Sequence, residues 1–198
     1  MSNPQRRCHA LLPSAGLGAR LGGDQPKQFR HLAGKPMLLY ALDCFFACPE
    51  IDSVWIGMSP GSDQLSYELK SRYPKPAKRF EFLQTGGPTR QQTVLNTLAA
   101  MQKAGVHPHD WILVHDAARC LITGFEINRL IDACLDDEVG GLLALPLPDT
   151  LKVAVNGRIS ETLPRQDKWL AQTPQMFRAG QLHAALASKA AENFEGVT

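Results

Sequence analysis

Short apolar runs alternate with helical patterns along this chain, and that alternation constrains the fold more than any other feature. HALLP (9–13), SVWIGMSP (53–60), RFEFLQ (79–84), WILVHD (111–116) and GGLLALPL (140–147) read as strands. Between the first two, PMLLYALDCFFAC (36–48) places Leu38, Leu39, Leu42, Phe45 and Phe46 at helical spacing, with Pro36 at its start and Pro49 just beyond. TVLNTLAAMQKAG repeats that spacing through Val94, Leu95, Leu98 and Met101 and stops at Gly105, a residue suited to the position after a helix. A further helix is expected around residues 125–138. Strands separated by helices of this length imply βαβ units, and so an α/β fold with a mostly parallel sheet and helices on both faces. With 198 residues, 44% of them hydrophobic, there is enough chain for one substantial core. No linker, repeat or low-complexity tract divides it, so a single domain over 1–198 is expected.

The pattern changes after residue 150. LKVAVNGRISETL is two alternating runs joined by Asn156-Gly157, a strong signal for a two-residue hairpin turn. A two-stranded ribbon is marginal alone in water, so this one must pack either on a second subunit or on its own domain.

Charge and composition exclude several classes. A net charge of +2 argues against binding nucleic acid through a broad basic face. No apolar run approaches the roughly 18 residues a membrane-spanning helix needs. The apolar stretch near the N-terminus is too short for a secretory signal, so a cytoplasmic location is expected. Cys8, Cys44, Cys48, Cys120 and Cys134 form no C-x-x-C pair, which argues against zinc or a disulfide framework; Cys44 and Cys48 are read as buried free thiols on one helical face. His107 and His109, in HPHD, read as a solvent loop rather than a metal pair, and Trp55 and Trp111 read as core.

Chemistry concentrates in LLPSAGLGARLGGDQPKQF (11–29), a glycine-rich turn directly after the first strand. Ligands of open α/β sheets sit beyond the carboxyl ends of the strands, which is where this turn lies. Its small residues let backbone N–H groups approach a phosphate, and Arg20 and Lys27 can add full charges. A P-loop fails because Lys27 is flanked by Pro26 and Gln28. A dinucleotide fingerprint begins at Gly16 and Gly18, but Leu21 occupies its third glycine position. A nucleotidyltransferase loop fits better, since that reaction asks mainly for placement of two anions and stabilisation of charge at phosphorus and the leaving group. The plain alternative is a glycine-rich turn with two solvated cations.

PSAGLGARLGGDQPKQF resembles the signature P-A-A-G-x-G-x-R…P-K-Q of the IspD family, 2-C-methyl-D-erythritol 4-phosphate cytidylyltransferases. In the same order follow the GG…TR…T segment at Gly86–Thr93, VHDAAR (114–119), PDTLK (148–152) and WLAQTPQ (169–175), so the resemblance covers nearly the whole chain. It implies a Rossmann-like domain of the nucleotide-diphospho-sugar transferase kind, with a projecting β-arm at about 148–170 that makes a homodimer.

The resemblance also implies residue roles. The Ser14-Ala15-Gly16 backbone and Gly18 would hold the triphosphate, while Arg20 and Lys27 stabilise the transition state. Gly87 and Thr93 would read cytosine, Asp116 would hold the acceptor's polyol or the metal-bound triphosphate, and Ala117 would lie against the ribose. Arg119 would contact the acceptor or its neighbourhood, and Thr150, Arg165 and Thr173 in the arm would grip the acceptor, Arg165 pairing with its phosphate, in a site shared between subunits. Mg²⁺ would ride mainly on CTP phosphates, its protein ligands unassigned. Cys120 stands where family members usually have Pro, and Pro88 where an acidic residue is often found. The chain stops at FEGVT, where family members continue to a last strand and a loop with a substrate-positioning Asp and Lys, so a C-terminal segment of the family is expected to be missing.

The implied function is transfer of CMP from CTP to 2-C-methyl-D-erythritol 4-phosphate with release of pyrophosphate. Competing readings are a ribitol 5-phosphate cytidylyltransferase, an NAD(P)-binding oxidoreductase, and a non-catalytic CTP-binding or structural dimer.

Overall fold

The protein's structure, a computed structural model, describes residues 6–16, 26–73 and 79–188; Gly18 and Arg20 lie outside them. In chain order the elements are β1 (Cys8–Pro13), a 3-10 turn (Lys27–Phe29), the short ribbon of β2 (His31–Leu32) and β3 (Lys35–Pro36), α1 (Met37–Ala47), β4 (Ile51–Gly57), α2 (Asp63–Ser71) and β5 (Arg79–Leu83). There follow α3 (Arg90–Lys103), β6 (Trp111–Val114), α4 (Gly124–Cys134), β7 (Gly140–Pro146), β8 (Leu151–Val155), β9 (Arg158–Leu163), β10 (Trp169–Arg178) and α5 (Ala179–Ala187).

The central sheet runs β5-β4-β1-β6-β10-β7. β1 pairs in parallel with β4 and β6, and β4 with β5. β10 enters antiparallel between β6 and β7, so the sheet is mostly, not wholly, parallel. Both faces are covered over the central strands, which is why β1 and β6 read as nearly continuous apolar runs, while β5 at the sheet's end alternates. Along β1, Ala10 and Leu12 join one core with α1 and α4, while Leu11 joins a second core with Val94, Leu98 and Met101 of α3 and Ala179 at the start of α5. Trp111 is buried in the first core and Trp55 in the second.

The expected strands and helices are present with small shifts at their ends; the helix expected over 125–138 stops at Cys134. It opens with a capping box that the sequence offers as T-x-x-E: Thr123 accepts from the Glu126 N–H, and Glu126 accepts from the Thr123 N–H. Besides the 3-10 turn and the short β2–β3 ribbon, the larger elements not expected were α2, β10 and α5. β10 hides because Gln172, Thr173 and Pro174 interrupt its apolar pattern, and its pairing with β7 shifts register between Ala171 and Gln175. All five cysteines are free thiols; Cys48 is buried just past the end of α1, and Cys44 is half-buried.

The hairpin forms as its turn requires. Asn156 and Gly157 both take positive φ, 51° and 76°, and β8 pairs with β9 alone in a separate two-stranded sheet.

A sealed imidazole just past the end of β6 is joined to the middle of β10. His115 is fully buried, its Nε2 3.0 Å from the Arg119 carbonyl and its Nδ1 3.0 Å from the Thr173 hydroxyl. A carbonyl only accepts, so Nε2 carries the proton, Nδ1 accepts, and Thr173 donates to it. Burial pushes the imidazole pKa down from 6.5 to about 4. His9, also buried and pushed down by burial, sits between Ser53 and Asp110. A group whose folded pKa lies below its unfolded value stabilises fully above the unfolded pKa, and that contribution shrinks as pH falls toward the folded one. For His115 the window runs from 6.5 down to about 4 and spans about 3 kcal/mol. Denaturant unfolding across that range should show stability falling with acid, and His115→Gln should flatten the slope while lowering stability at pH 7. An unchanged slope in the variant would show that the imidazole is not the sensor.

Candidate active site

The carboxyl ends of β1, β4, β5 and β6 lie along one edge: Pro13 is opposite Gly57, Gly57 opposite Leu83, and Leu11 opposite Val114. Backbone hydrogen bonds carry the ladder past the strands. Ser14 N–H donates to Gly57 (2.7 Å), Met58 N–H to Leu83 (2.7 Å), Gly86 N–H to Met58 (2.8 Å) and His115 N–H to Leu11 (2.9 Å). The loops after the four strands therefore start from fixed positions.

In the first loop, side chains hold the carbonyls. Gln28, buried in the 3-10 turn, donates from Nε2 to the Ser14 carbonyl (2.7 Å) and the Gly16 carbonyl (3.1 Å). Ser59 Oγ donates to the Ala15 carbonyl (2.9 Å). In a trans peptide the N–H points opposite to the preceding C=O, so the Ala15 and Gly16 N–H groups point away from Gln28 and Ser59 respectively. Gly16 is exposed, and a Cβ there would meet nothing within 4 Å. Lys27 is exposed one residue before Gln28. The loop can thus receive an anion on its outer side, with a cation alongside.

The second loop, after β5, leans on the first. A Cβ on Gly86 would lie 2.6 Å from the Ala15 Cβ and 2.8 Å from the Met58 carbonyl oxygen, so only glycine allows this approach. The Gly87 N–H donates to Thr93 Oγ1 (3.0 Å), which donates in turn to the Thr89 carbonyl (3.0 Å). Thr93 is buried, and its hydroxyl positions Gly87 from below. Thr89 caps α3 by accepting from the Gln92 N–H (3.0 Å).

The third loop carries the carboxylate. Asp116 Oδ1 accepts from Arg90 Nε (2.7 Å) and Oδ2 from Arg119 Nε (3.0 Å), while the Asp116 N–H donates to Thr173 Oγ1 (3.2 Å). Burial alone would raise the Asp116 pKa, but the charges and hydrogen bonds of Arg90 and Arg119 outweigh it and hold the carboxyl below its usual range. Arg119 also donates to Gln172 Oε1, and Ala117 is buried beside the carboxylate. Behind this turn opens a cavity of about 390 Å³ lined by Arg119, Cys120, Ile122, Leu143 and Thr173 among others.

Ser14, Ala15, Gly16, Gly87, Thr93, Asp116, Ala117, Arg119 and Thr173 therefore come together on this edge, with Lys27 beside them. Thr150 and Arg165 lie apart, at the foot of the β8–β9 arm, where Arg165 donates to the Pro148 carbonyl, whereas Thr173, expected in the arm, lies in β10 of the central sheet, bonded to His115. His107 and His109 are exposed in the loop before β6, at the opposite edge; among the described residues no group of three potential metal ligands exists. Three residues that sequence reasoning passed over prove structural to the site: Gln28, Ser59 and Arg90. Gln28 and Arg90 stood inside the matched motifs, which was the only signal.

Known proteins resemble this chain over most of its length. The profile of the family IspD, 2-C-methyl-D-erythritol 4-phosphate cytidylyltransferase, matches residues 8–198. A bifunctional enzyme IspD/IspF of Albidiferax ferrireducens is 50% identical over 185 residues, covering 93% of this chain and 43% of that protein. The 2-C-methyl-D-erythritol 4-phosphate cytidylyltransferase of Ralstonia nicotianae is 48% identical over 193 residues, covering 94% of this chain and 75% of its own length. Among solved structures, a 4-diphosphocytidyl-2C-methyl-D-erythritol synthase superposes with a TM-score of 0.82 at 36% identity, covering 93% of this chain and 80% of that one. The 2-C-methyl-D-erythritol 4-phosphate cytidylyltransferase of Thermus thermophilus superposes with a TM-score of 0.71 at 28% identity, covering 97% and 80%. The chain belongs to the IspD family of 2-C-methyl-D-erythritol 4-phosphate cytidylyltransferases.

Proposed function

We propose that this chain transfers CMP from CTP to 2-C-methyl-D-erythritol 4-phosphate. A phosphate oxygen of the acceptor attacks the α-phosphorus of CTP, the bond to the bridging oxygen of the β-phosphate breaks, and pyrophosphate leaves with the electron pair. The observation that carries this reading is the meeting of the Ser14–Gly16 turn, the Gly86–Gly87 loop and Asp116 on one sheet edge, in a chain matching the family over residues 8–198.

The triphosphate rests on the Ala15 and Gly16 N–H groups, and Lys27, with Arg20 from outside the described residues, stabilises charge on phosphorus and the leaving group. Because the Gly87 N–H is taken by Thr93, the Gly86 carbonyl points away from that hydroxyl. It is suited to accept from the exocyclic amine of cytosine, which uracil lacks. The acceptor occupies the cavity beside Arg119 and Thr173, a volume within the usual range for small ligands. Mg²⁺ accompanies the nucleotide: Asp116 is the carboxylate of this edge and both its oxygens are already paired, a donor set that suits an ion carried mainly by phosphates. When bound, the ion neutralises triphosphate charge.

We also propose a homodimer through the arm. Val155 and Ile159 in the hairpin are exposed, as are Leu145 and Trp169 at its base, and among the described residues β8 and β9 pair only with each other. A second copy covering them would bring Thr150 and Arg165 to the partner's acceptor site. The cytoplasm is the compartment we propose; five free thiols suit a reducing environment. No described helix is long and apolar enough to cross a membrane.

Pyrophosphate release should require CTP, 2-C-methyl-D-erythritol 4-phosphate and Mg²⁺ together, stop with EDTA, and fall by about a hundredfold or more in Arg20→Ala and Lys27→Ala. Equal turnover with ribitol 5-phosphate, or with UTP, would contradict the substrate assignment. Sedimentation should give twice the 21.7 kDa chain mass, and Ile159→Asp should shift it toward one chain; a monomeric parent would remove the shared site.

A further inference from the structure

Arg90 occupies a position that local physics disfavours. It is the first residue of α3, where the helix dipole repels a cation, and the first turn holds no acidic residue. Its Nη2 is buried without an acceptor among the described residues, a further cost to folding. A residue that breaks two local preferences is expected to be held by something outside its own element. That something is Asp116, 26 residues away, bonded through Nε at 2.7 Å.

Arg119 pairs with the same carboxylate but cannot do the same work. It lies three residues on in the same turn, moves with Asp116, and its side chain is 44% exposed against 24% for Arg90. Among the described residues only Arg90 reaches the carboxylate from a separate element, the helix whose first turn also carries Thr93 under Gly87. One helix start therefore fixes both the Gly86–Gly87 loop and the orientation of Asp116.

We propose that Arg90 is a positioning residue of the nucleotide site, acting through Asp116 by locking its carboxylate in register with the Gly86–Thr93 segment. This rests on the proposed cytidylyltransferase reading. The test is a double-mutant cycle of Arg90→Met and Asp116→Asn, read on turnover and, independently of the acceptor, on calorimetric affinity for CTP with Mg²⁺. Wild-type turnover decides the enzymatic reading; the cycle decides Arg90. Arg90→Met should cost about ten- to a hundredfold in kcat/KM, or about tenfold in CTP affinity should turnover be absent, when Asp116 is present. It should cost less than about twofold once Asp116→Asn is in place. Since methionine fills similar space and removes the orphaned donor, Tm should stay within about 4 °C. Equal losses in both backgrounds, no loss in either, or a fall in Tm that accounts for the lost function would overturn the proposal.

Discussion

The active edge depends on one uncharged ring. His115 directly follows β6, and its two nitrogens are committed to opposite tasks: Nε2 donates to the Arg119 carbonyl and Nδ1 accepts from Thr173. The first closes the turn that carries Asp116; the second fastens that turn to β10. Thr173 completes the arrangement by accepting from the Asp116 N–H. A protonated ring would carry two donors into a buried site, and that burial outweighs the pull of the nearby Asp116 carboxylate and keeps it neutral. The rigidity of the carboxylate's backbone is thus obtained by excluding water from its neighbour.

The same logic governs the phosphate side. Backbone N–H groups stabilise an anion best when they need not reorient, and here the carbonyls that could swing are held by Gln28 and Ser59. The Gly86–Gly87 loop is pressed against Ala15 closely enough to exclude any side chain. Phosphate loop, base loop and carboxylate are therefore one continuous scaffold built on the ends of β1, β4, β5 and β6.

Much of this was legible in the sequence. Apolar runs marked β1, β4 and β6 because both of their faces are buried, alternation marked the half-buried β5, and Asn156-Gly157 marked the hairpin because few other pairs accept two positive φ values. The glycine turn announced an anion site through its composition. β10 was not legible, since its Gln-Thr-Pro interruption breaks the apolar pattern where the register with β7 shifts and Thr173 meets His115. Gln28, Ser59 and Arg90 were not legible either. Their roles arise from contacts with residues 12, 44 and 26 positions away, which no local pattern encodes. The meaning of HDAAR came from family resemblance; the ion-pair arrangement around it came only from the fold.

The central claim is that the three loops form a single nucleotide site, and a crystal structure with CTP and Mg²⁺ tests it most directly. The account predicts the triphosphate on the Ala15 and Gly16 N–H groups, the cytosine amine at the Gly86 carbonyl, and Asp116 still held by Arg90 beside the nucleotide. A nucleotide bound elsewhere, or a base pointing away from the Gly86–Gly87 loop, would contradict it.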